Sequence, residues 1–293
     1  MKKDTDIRMI VLVPLGGLCN RLRAIMSAIE LAQRWQVELR IVWLRDAGLN
    51  ARFTDLFLPL SSLKESDAWY KYGVPRRRNL WLPSCWQQWH FDSCLTEAQL
   101  IEVLGQQITE EELSQVLRSK VHGKVLIQTG LGFFPTDDLL FLHFFQPSGQ
   151  VRKLQEPRLE YITEHTVGVH IRRTDNVQAT LHSPLSAFEA KMMADVKRDA
   201  ATRFYVATDD ASVITRLQSL FPGRIINSPL QTGNTYKSGF FYGRSSTEGM
   251  LEAVAELFTL IACPRFHGSY WSSFSDAVVG CHADGLADII FVN

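Results

Sequence analysis

From Thr166 to the C-terminus the chain alternates between two apolar patterns, and this alternation limits the fold more than any other feature. Short strand-like runs at Thr166–Ile171, Arg203–Ala207, Arg224–Asn227 and Ile289–Val292 are separated by stretches with helical spacing. Leu185, Phe188, Met192 and Val196 share one helix face. Ile214, Leu217 and Phe221 share a second, and Leu251, Val254, Phe258 and Ile261 a third. Ser183-Pro184 reads as an N-cap and first-turn proline, Gly223 as a C-cap, Ser245 with Glu248 as a cap, and Ser269–Ser275 as the opening of a last helix. Such alternation predicts an α/β fold with parallel sheets covered on both faces and ligands at the carboxyl ends of the strands. Three places meet that rule: His170–Asp175, Thr208–Asp210 and Gly268–Ser275.

The first half opens in the same way. Met9–Val13 is a strand, Gly16-Gly17 a turn, and Leu18, Leu22, Ile25, Ile29 and Ala32 one face of a helix. Arg40–Leu44 and Lys124–Thr129 read as further strands, and Thr96 with Gln99 and Thr109 with Glu112 as capping boxes. Residues 46–95 are rich in Trp, Pro and Arg and have no clear period. A polar stretch over 146–164, with Pro147, Gly149 and Pro157, is the expected boundary between domains over 1–150 and 151–293.

Composition removes several function classes. Lys+Arg and Asp+Glu balance at 31 each, so no global field favours nucleic acid as a partner, although a local basic pocket for a phosphorylated small molecule stays open. The five cysteines, Cys19, Cys85, Cys94, Cys263 and Cys281, are odd in number and form no C-x-x-C pair. That argues against a disulfide framework or structural zinc and fits a reduced, cytoplasmic setting. No run of 18 apolar residues exists, so no membrane span is expected. The run from Met9 to Leu15 contains Pro14, follows Asp4 and Asp6, and leads to Leu18 before Cys19; it reads as a buried strand rather than a targeting segment.

At the first of the three places, Val169 and Ile171 alternate inward, so His170 and Arg172 share the other face near the strand end. Adjacent Arg172 and Arg173 point apart; one can fork onto a diphosphate while the other is held by Asp175. The alternative is a solvated charge cluster closing the strand. At the second place, a carboxylate can accept from both N1–H and the exocyclic amine of guanine. One of Asp209 and Asp210 is expected to cap the following helix and the other to be functional. At the third, hydroxyls and free N–H groups at a helix start form an anion site or simply a cap. Gly16-Gly17-Leu18-Cys19-Asn20-Arg21 follows the same logic, with glycines admitting a ligand close to the backbone. Gly130-Leu131-Gly132 approaches the dinucleotide fingerprint but has Pro135 in place of its third glycine. Metal signals are poor: Asp4-Thr5-Asp6 matches D-x-D by letters only, and no spacing makes ligands of His170, His182, Asp209 and His267. Trp81, Trp86, Trp89 and Phe91 read as core or acceptor cleft, with a carbohydrate-binding module as the alternative.

Gly168-Val169-His170-Ile171-Arg172-Arg173-Thr174-Asp175 closely resembles the H-x-R-R-x-D motif of the superfamily of α1,6- and α1,2-fucosyltransferases and protein O-fucosyltransferases. Tyr205-Val206-Ala207-Thr208-Asp209-Asp210 is similar to its second motif. The helix around Glu256 with Trp271-Ser272-Ser273-Phe274-Ser275 is similar to its third, and the Gly16–Arg21 turn resembles its G-G-x-x-N turn. The motifs occur in the family's order, while residues 46–150 match nothing in it. The resemblance implies a GT-B architecture: two Rossmann-like domains, the N-terminal one for the acceptor, the C-terminal one for the donor, with the donor in the cleft. It implies GDP-fucose as donor, a glycan or glycoconjugate hydroxyl as acceptor, inversion at the anomeric carbon, and no metal or other cofactor. By position, Arg172 neutralises the β-phosphate, and Arg173 with Asp175 holds the loop. His170 and one of Asp209 or Asp210 hold ribose and guanine, and Ser272 and Ser273 cap the phosphates. Gly17, Asn20 and Arg21 approach from the other domain. The α1,6 branch has a lysine after the motif aspartate and a glutamate base a few residues on. This chain has Asn176 and Thr180 there, which leaves His182 and Asp175 as candidate bases. The departure also admits a non-catalytic GDP-sugar-binding protein, and a transferase of another GDP-sugar is a further reading.

Overall fold

The computed structural model describes residues 7–46, 48–66, 91–174, 176–226, 246–283 and 285–292. The chain forms two compact units, one of residues 1–53 and 59–137, the other of 54–58 and 138–293.

The first unit begins with β1 (Ile7–Pro14), α1 (Leu18–Trp35) and β2 (Glu38–Leu44). A short α2 (Phe53–Leu56) spans the break into the second unit, and β3 (Leu63–Ser66), β4 (Ser93–Leu95), α3 (Glu97–Leu104), α4 (Glu110–Ser119) and β5 (Gly123–Thr129) follow. The five strands pair in parallel in the order β3-β2-β1-β5-β4. Val11, Val13, Val42, Leu44 and Leu126 form the core of one face, and α1 packs on β1 and β2. Both expected capping boxes are present: the Thr96 and Thr109 hydroxyls accept from the amides of Gln99 and Glu112, whose side chains return the bond. Strands β3 and β4 lie at the sheet edges, where they need few apolar residues, and their sequences gave no signal.

The second unit contains α5 (Phe141–Phe144), α6 (Gly149–Leu159), β6 (Thr166–Ile171), α7 (Val177–His182), α8 (Leu185–Arg198), β7 (Arg203–Thr208), α9 (Ala211–Leu220) and β8 (Ile225–Ile226). It closes with α10 (Thr247–Ala262), β9 (Arg265–Ser269), α11 (Ser273–Gly280) and β10 (Ala287–Ile290). Its sheet is parallel throughout, ordered β10-β9-β6-β7-β8. Val167, Val169, Ile171, Phe204 and Val206 meet Phe188 and Met192 of α8 and Val213, Ile214 and Leu217 of α9 on one face. On the other face Gly168 admits α10: a Cβ there would lie 3.2 Å from Cys263 Cβ and 3.0 Å from Leu260.

Several expectations are corrected. Residues 149–159 are no linker but α6, capped by Ser148 and packed on α10, with buried Arg158 ion-paired to Glu252. The helix buries only Val151 and Arg158, which explains its polar sequence, and the break between the units falls at 137/138. The cap of α10 is Ser246, which accepts from Gly249 N; Ser245 lies outside the described residues, as do Asn227, Cys85, Trp81, Trp86, Trp89 and the Asp4–Asp6 pair. Phe221 is the C-cap of α9, with Gly223 just beyond at φ 72°. Pro184 is itself the N-cap of α8, and the Ser183 hydroxyl turns inward to Ile290 O instead.

Strand β9 was not foreseen, because Arg265, His267 and Gly268 break any apolar run. Its polar side chains are met by buried Asp195 of α8, at 2.9 Å from Arg265 Nη1 and 2.7 Å from His267 Nε2. Gly268 faces α11 so closely that a Cβ would stand 2.7 Å from both Ser275 Cβ and the Phe266 ring. Gly268→Ala is therefore expected to cost about 1–3 kcal/mol, the usual penalty of overpacking, read as a lower urea midpoint at unchanged slope.

Candidate functional site at the carboxyl ends of the second sheet

Strands β6, β7 and β9 end together, and the polar side chains at their ends organise one another. Thr208 Oγ1 donates to Ile171 O at 2.7 Å, which ties the ends of β6 and β7. After β6 the chain turns through Arg172, Arg173 and Thr174, and Asp209 holds that turn. Its Oδ1 accepts from Arg173 N (2.8 Å), and its Oδ2 accepts from the Thr174 amide (3.2 Å) and hydroxyl (2.7 Å) and pairs with Arg172 Nη1 (2.8 Å). Burial works against ionisation of Asp209, but the Arg172 charge and these hydrogen bonds outweigh it and hold the carboxyl below its usual range. Asp210 instead caps α9, accepting from the Ser212 amide at 2.9 Å and hydroxyl at 2.7 Å. The structure thus separates two aspartates that spacing could not.

The two arginines diverge as adjacent strand-end residues must. Arg172 stays at the strand end beside Asp209. Arg173 runs inward, where its guanidinium donates to Ser183 O; burial lowers its pKa against the opposing charges of Asp209 and Asp210. Asp175, expected to share in holding this loop, lies outside the described residues.

His170 is buried beneath the turn. Its Nδ1 is 2.8 Å from Ser275 Oγ and its ring lies 4.7 Å from that of Phe274. Desolvation, reinforced by the Arg172 charge, depresses its pKa to about 4, so the imidazole is neutral at pH 7. Ser275 Oγ also accepts from Ser269 N at 3.0 Å, and Ser269 Oγ donates to His170 O (3.2 Å) and accepts from Arg172 N (2.9 Å). Two serines at the start of α11 and the end of β9 therefore fix both the histidine and the arginine backbone. The sequence pointed to the run Gly268–Ser275 as a whole and within it favoured Ser272 and Ser273, not these two. Ser272 caps α11, and Ser273 is its first residue. Their place at a helix N-terminus fits an anion.

The candidate bases and their neighbours are engaged differently. His182 Nδ1 is 3.1 Å from Val292 O, and its ring stacks on Phe291 at 5.3 Å. Asn176 caps α7 through Ala179 N and donates from Nδ2 to Trp271 O at 2.7 Å. Thr180 Oγ1 is 3.1 Å from both Arg173 O and Asn176 O. Trp271 has φ 56°, and Gln36 at a helix C-cap is the only other non-glycine residue with positive φ among those described. A left-handed conformation costs a bulky residue about 1–2 kcal/mol.

In the first unit the turn Gly16-Gly17 leads into α1, with Gly16 at φ 82° and Gly17 as N-cap. Arg21 is fully buried rather than presented to a ligand. It donates to Gly16 O at 2.8 Å, to Leu44 O, and to Asp46 at 2.6 Å, and lies over Trp43. In this structure its guanidinium clamps the turn. Asn20 is partly exposed, beside Gly16 and Gly130. Among the described residues no three His, Cys, Asp or Glu side chains assemble as a metal site, and no helix is long and apolar enough to cross a membrane.

No family model and no curated protein matches the sequence. Solved structures do. NodZ α-1,6-fucosyltransferase of Bradyrhizobium, soaked with GDP-fucose, is similar at TM-score 0.59 and 18% identity over 94% of this chain and 93% of that one. POFUT1 in its apo form is similar at TM-score 0.55 and 12% identity over 100% of both chains. FUT1 of Arabidopsis thaliana, as a mutant in complex with GDP, is similar at 0.52 and 16% over 100% of this chain and 72% of that one. The class is therefore the GT-B type, with two α/β units of parallel strands. Within that class, the chain has the fold of the GDP-fucose-dependent fucosyltransferases.

The depressed pKa of His170 has a thermodynamic signature. An unfolded histidine titrates near 6.5, so between that value and about 4 the unfolded chain binds the proton and the folded chain does not. This contribution is complete above pH 6.5 and drains away as pH falls toward 4, on the order of 3 kcal/mol in all. Urea unfolding across that window should show a shallower pH slope in His170→Gln than in the unsubstituted protein.

Proposed function

We propose that the chain transfers fucose from GDP-fucose to a hydroxyl of a glycan or glycoconjugate, with inversion and without a metal ion. The observation that carries this reading is the guanidinium of Arg172 at the end of β6, held at 2.8 Å by Asp209, on a backbone tied to the β9–α11 turn through Ser269. The likeness in fold to structures holding GDP-fucose and GDP supports it.

In the reaction an acceptor oxygen attacks the anomeric carbon from the face opposite the diphosphate. The new C–O bond forms as the bond to the β-phosphate oxygen breaks, GDP departs, and the hydroxyl proton passes to a base. Charge gathers on the leaving diphosphate. A cation already oriented by Asp209, with the start of α11 behind Ser272 and Ser273, stabilises that charge without reorganising at the moment of bond cleavage. Neutral His170, fixed by Ser275, keeps a second positive charge from crowding Arg172 and offers a hydrogen bond toward the nucleoside. Asp175 and His182 remain the candidates for the base, and Asn20 with Gly17 for further donor contacts.

A second reading, donor binding without transfer, draws on Asn176 and Thr180. Neither side chain ionises near neutral pH, and both are hydrogen-bonded to backbone. It predicts GDP-sugar binding with no GDP release whatever glycan is supplied.

Thermal-shift titration with GDP, GDP-fucose, ADP and UDP, each with and without EDTA, tests the donor assignment. A guanine ligand at a hundred times its dissociation constant should add about 2.7 kcal/mol, unchanged by EDTA. Equal shifts with ADP or UDP would discard it. Arg172→Ala should remain folded by circular dichroism while losing about 100- to 1000-fold in kcat, measured as GDP release with a panel of glycan acceptors and other GDP-sugars. Full turnover in that variant would overturn the role given to Arg172.

A further inference from the structure

Beside the strand ends lies an exposed aromatic surface, and of its residues only His182, a candidate base, enters the proposed transfer. Trp271 is 64% exposed, and its ring stands 5.8 Å from that of Tyr270. Tyr270 meets Phe291 at 4.7 Å, and His182 meets Phe291 at 5.3 Å and Tyr270 at 5.5 Å. Phe291 is 48% exposed. On α7, Val177 and Leu181 stand four residues apart on one helix face, both well exposed. An apolar surface of this kind beside a candidate reaction site is a candidate for binding.

The backbone at Trp271 gives a second, independent indication. A tryptophan in the left-handed region is conformationally unfavourable, and nothing about a position just before a helix N-cap demands it. The strained residue is nonetheless held, by Asn176 Nδ2 on its carbonyl, and its indole is directed to solvent rather than into the core. Folding gains little from such a residue, whereas a ligand gains a rigid flat face.

The charge of the surface selects the ligand. Segments 176–182, 270–274 and 287–292 contain no lysine or arginine, and their one acidic residue, Asp288, is paired with Lys191 at 2.9 Å. The only feature in these segments that fits an anion is the helix start at Ser272 and Ser273; the aromatic faces beside it offer a phosphorylated or acidic partner no lysine or arginine. A neutral pyranose does fit: its C–H face lies against an indole while its hydroxyls reach side chains such as Gln178 and Thr180, both exposed on α7. We infer that Trp271, with Tyr270, Phe291 and His182, forms a stacking platform for a neutral sugar ring of the acceptor glycan. The inference rests on the proposed transferase reading and adds to it where the acceptor is held.

The test uses the full chain and three neutral probes, N-acetylchitotetraose, cellotetraose and mannotetraose, with binding read by saturation-transfer NMR in the presence of GDP. Trp271→Gly removes the ring and, because glycine accepts positive φ, also removes the strain. The expected result is at least a tenfold loss of affinity for the bound tetrasaccharide in Trp271→Gly, with a melting temperature equal to or above that of the unsubstituted protein. Trp271→Phe should keep most of the affinity. Binding unchanged within twofold in Trp271→Gly, or no binding of any probe to the unsubstituted protein, overturns the platform. Loss of the GDP thermal shift in Trp271→Gly with sugar binding intact assigns the ring to the nucleotide and overturns it as well. The guanine-specific shift of the unsubstituted protein reports on the donor reading separately, so the two ideas fail by different measurements.

Discussion

The pairing of β6 with β9 is the contact on which the second unit's site depends. It sets His170 opposite Gly268, and the missing side chain at Gly268 lets Ser275 come within 2.8 Å of the imidazole. The same pairing brings Ser269 under the Arg172 amide. Once those strands are in register, the histidine, the arginine backbone and the start of α11 have little freedom left. Asp209 completes the arrangement from β7, using one carboxylate for a guanidinium, two amides and a hydroxyl. A group that must meet charge developing elsewhere works best when already oriented, and here the orientation is supplied by hydrogen bonds made on folding.

The two units treat the arginines near their strand ends differently. In the second, arginine and aspartate meet at the open ends of the strands. In the first, Arg21 turns back under the Gly16-Gly17 turn and joins Leu44 O and Asp46, so a cation that looks available in the sequence is spent on holding β1, α1 and β2 together. Arginine and aspartate near a strand end therefore pair at the open strand ends in one case and brace a turn in the other, and the local sequence does not distinguish them.

Much of the architecture was legible because hydrophobic periodicity reports burial directly. Strands β1, β2, β5, β6 and β7, helices α1, α8, α9 and α10, and both capping boxes were read from pattern alone, whereas α6 was not. What escaped was structure held by long-range polar pairing. Strand β9 has no apolar run because its charged side chains are met by Asp195, about seventy residues earlier in the chain. Ser183 looked like a helix cap because local rules see only its neighbours, while its partner is Ile290 O. The H-x-R-R pattern marked the candidate site, but which of Asp209 and Asp210 caps a helix, and which serine of 269–275 turns inward, are decided by the approach of separate strands.

Strand β9 stands between β10 and β6, yet the face it shows α8 is held by one carboxylate rather than by interlocking hydrocarbon. Hydrocarbon cores degrade gradually, since neighbours can shift to fill a lost methyl. A single ionic keystone has less reserve: Asp195 alone meets Arg198, Arg265 and His267, and the next carboxylate, Asp288, stands 3.8 Å from His267 Nδ1 and is already paired with Lys191. Tolerance to random substitution along α8 should therefore be sharply uneven: broad at its exposed positions, narrow at Asp195, whose loss is felt on the far side of the sheet where Gly268 and Ser269 shape the site.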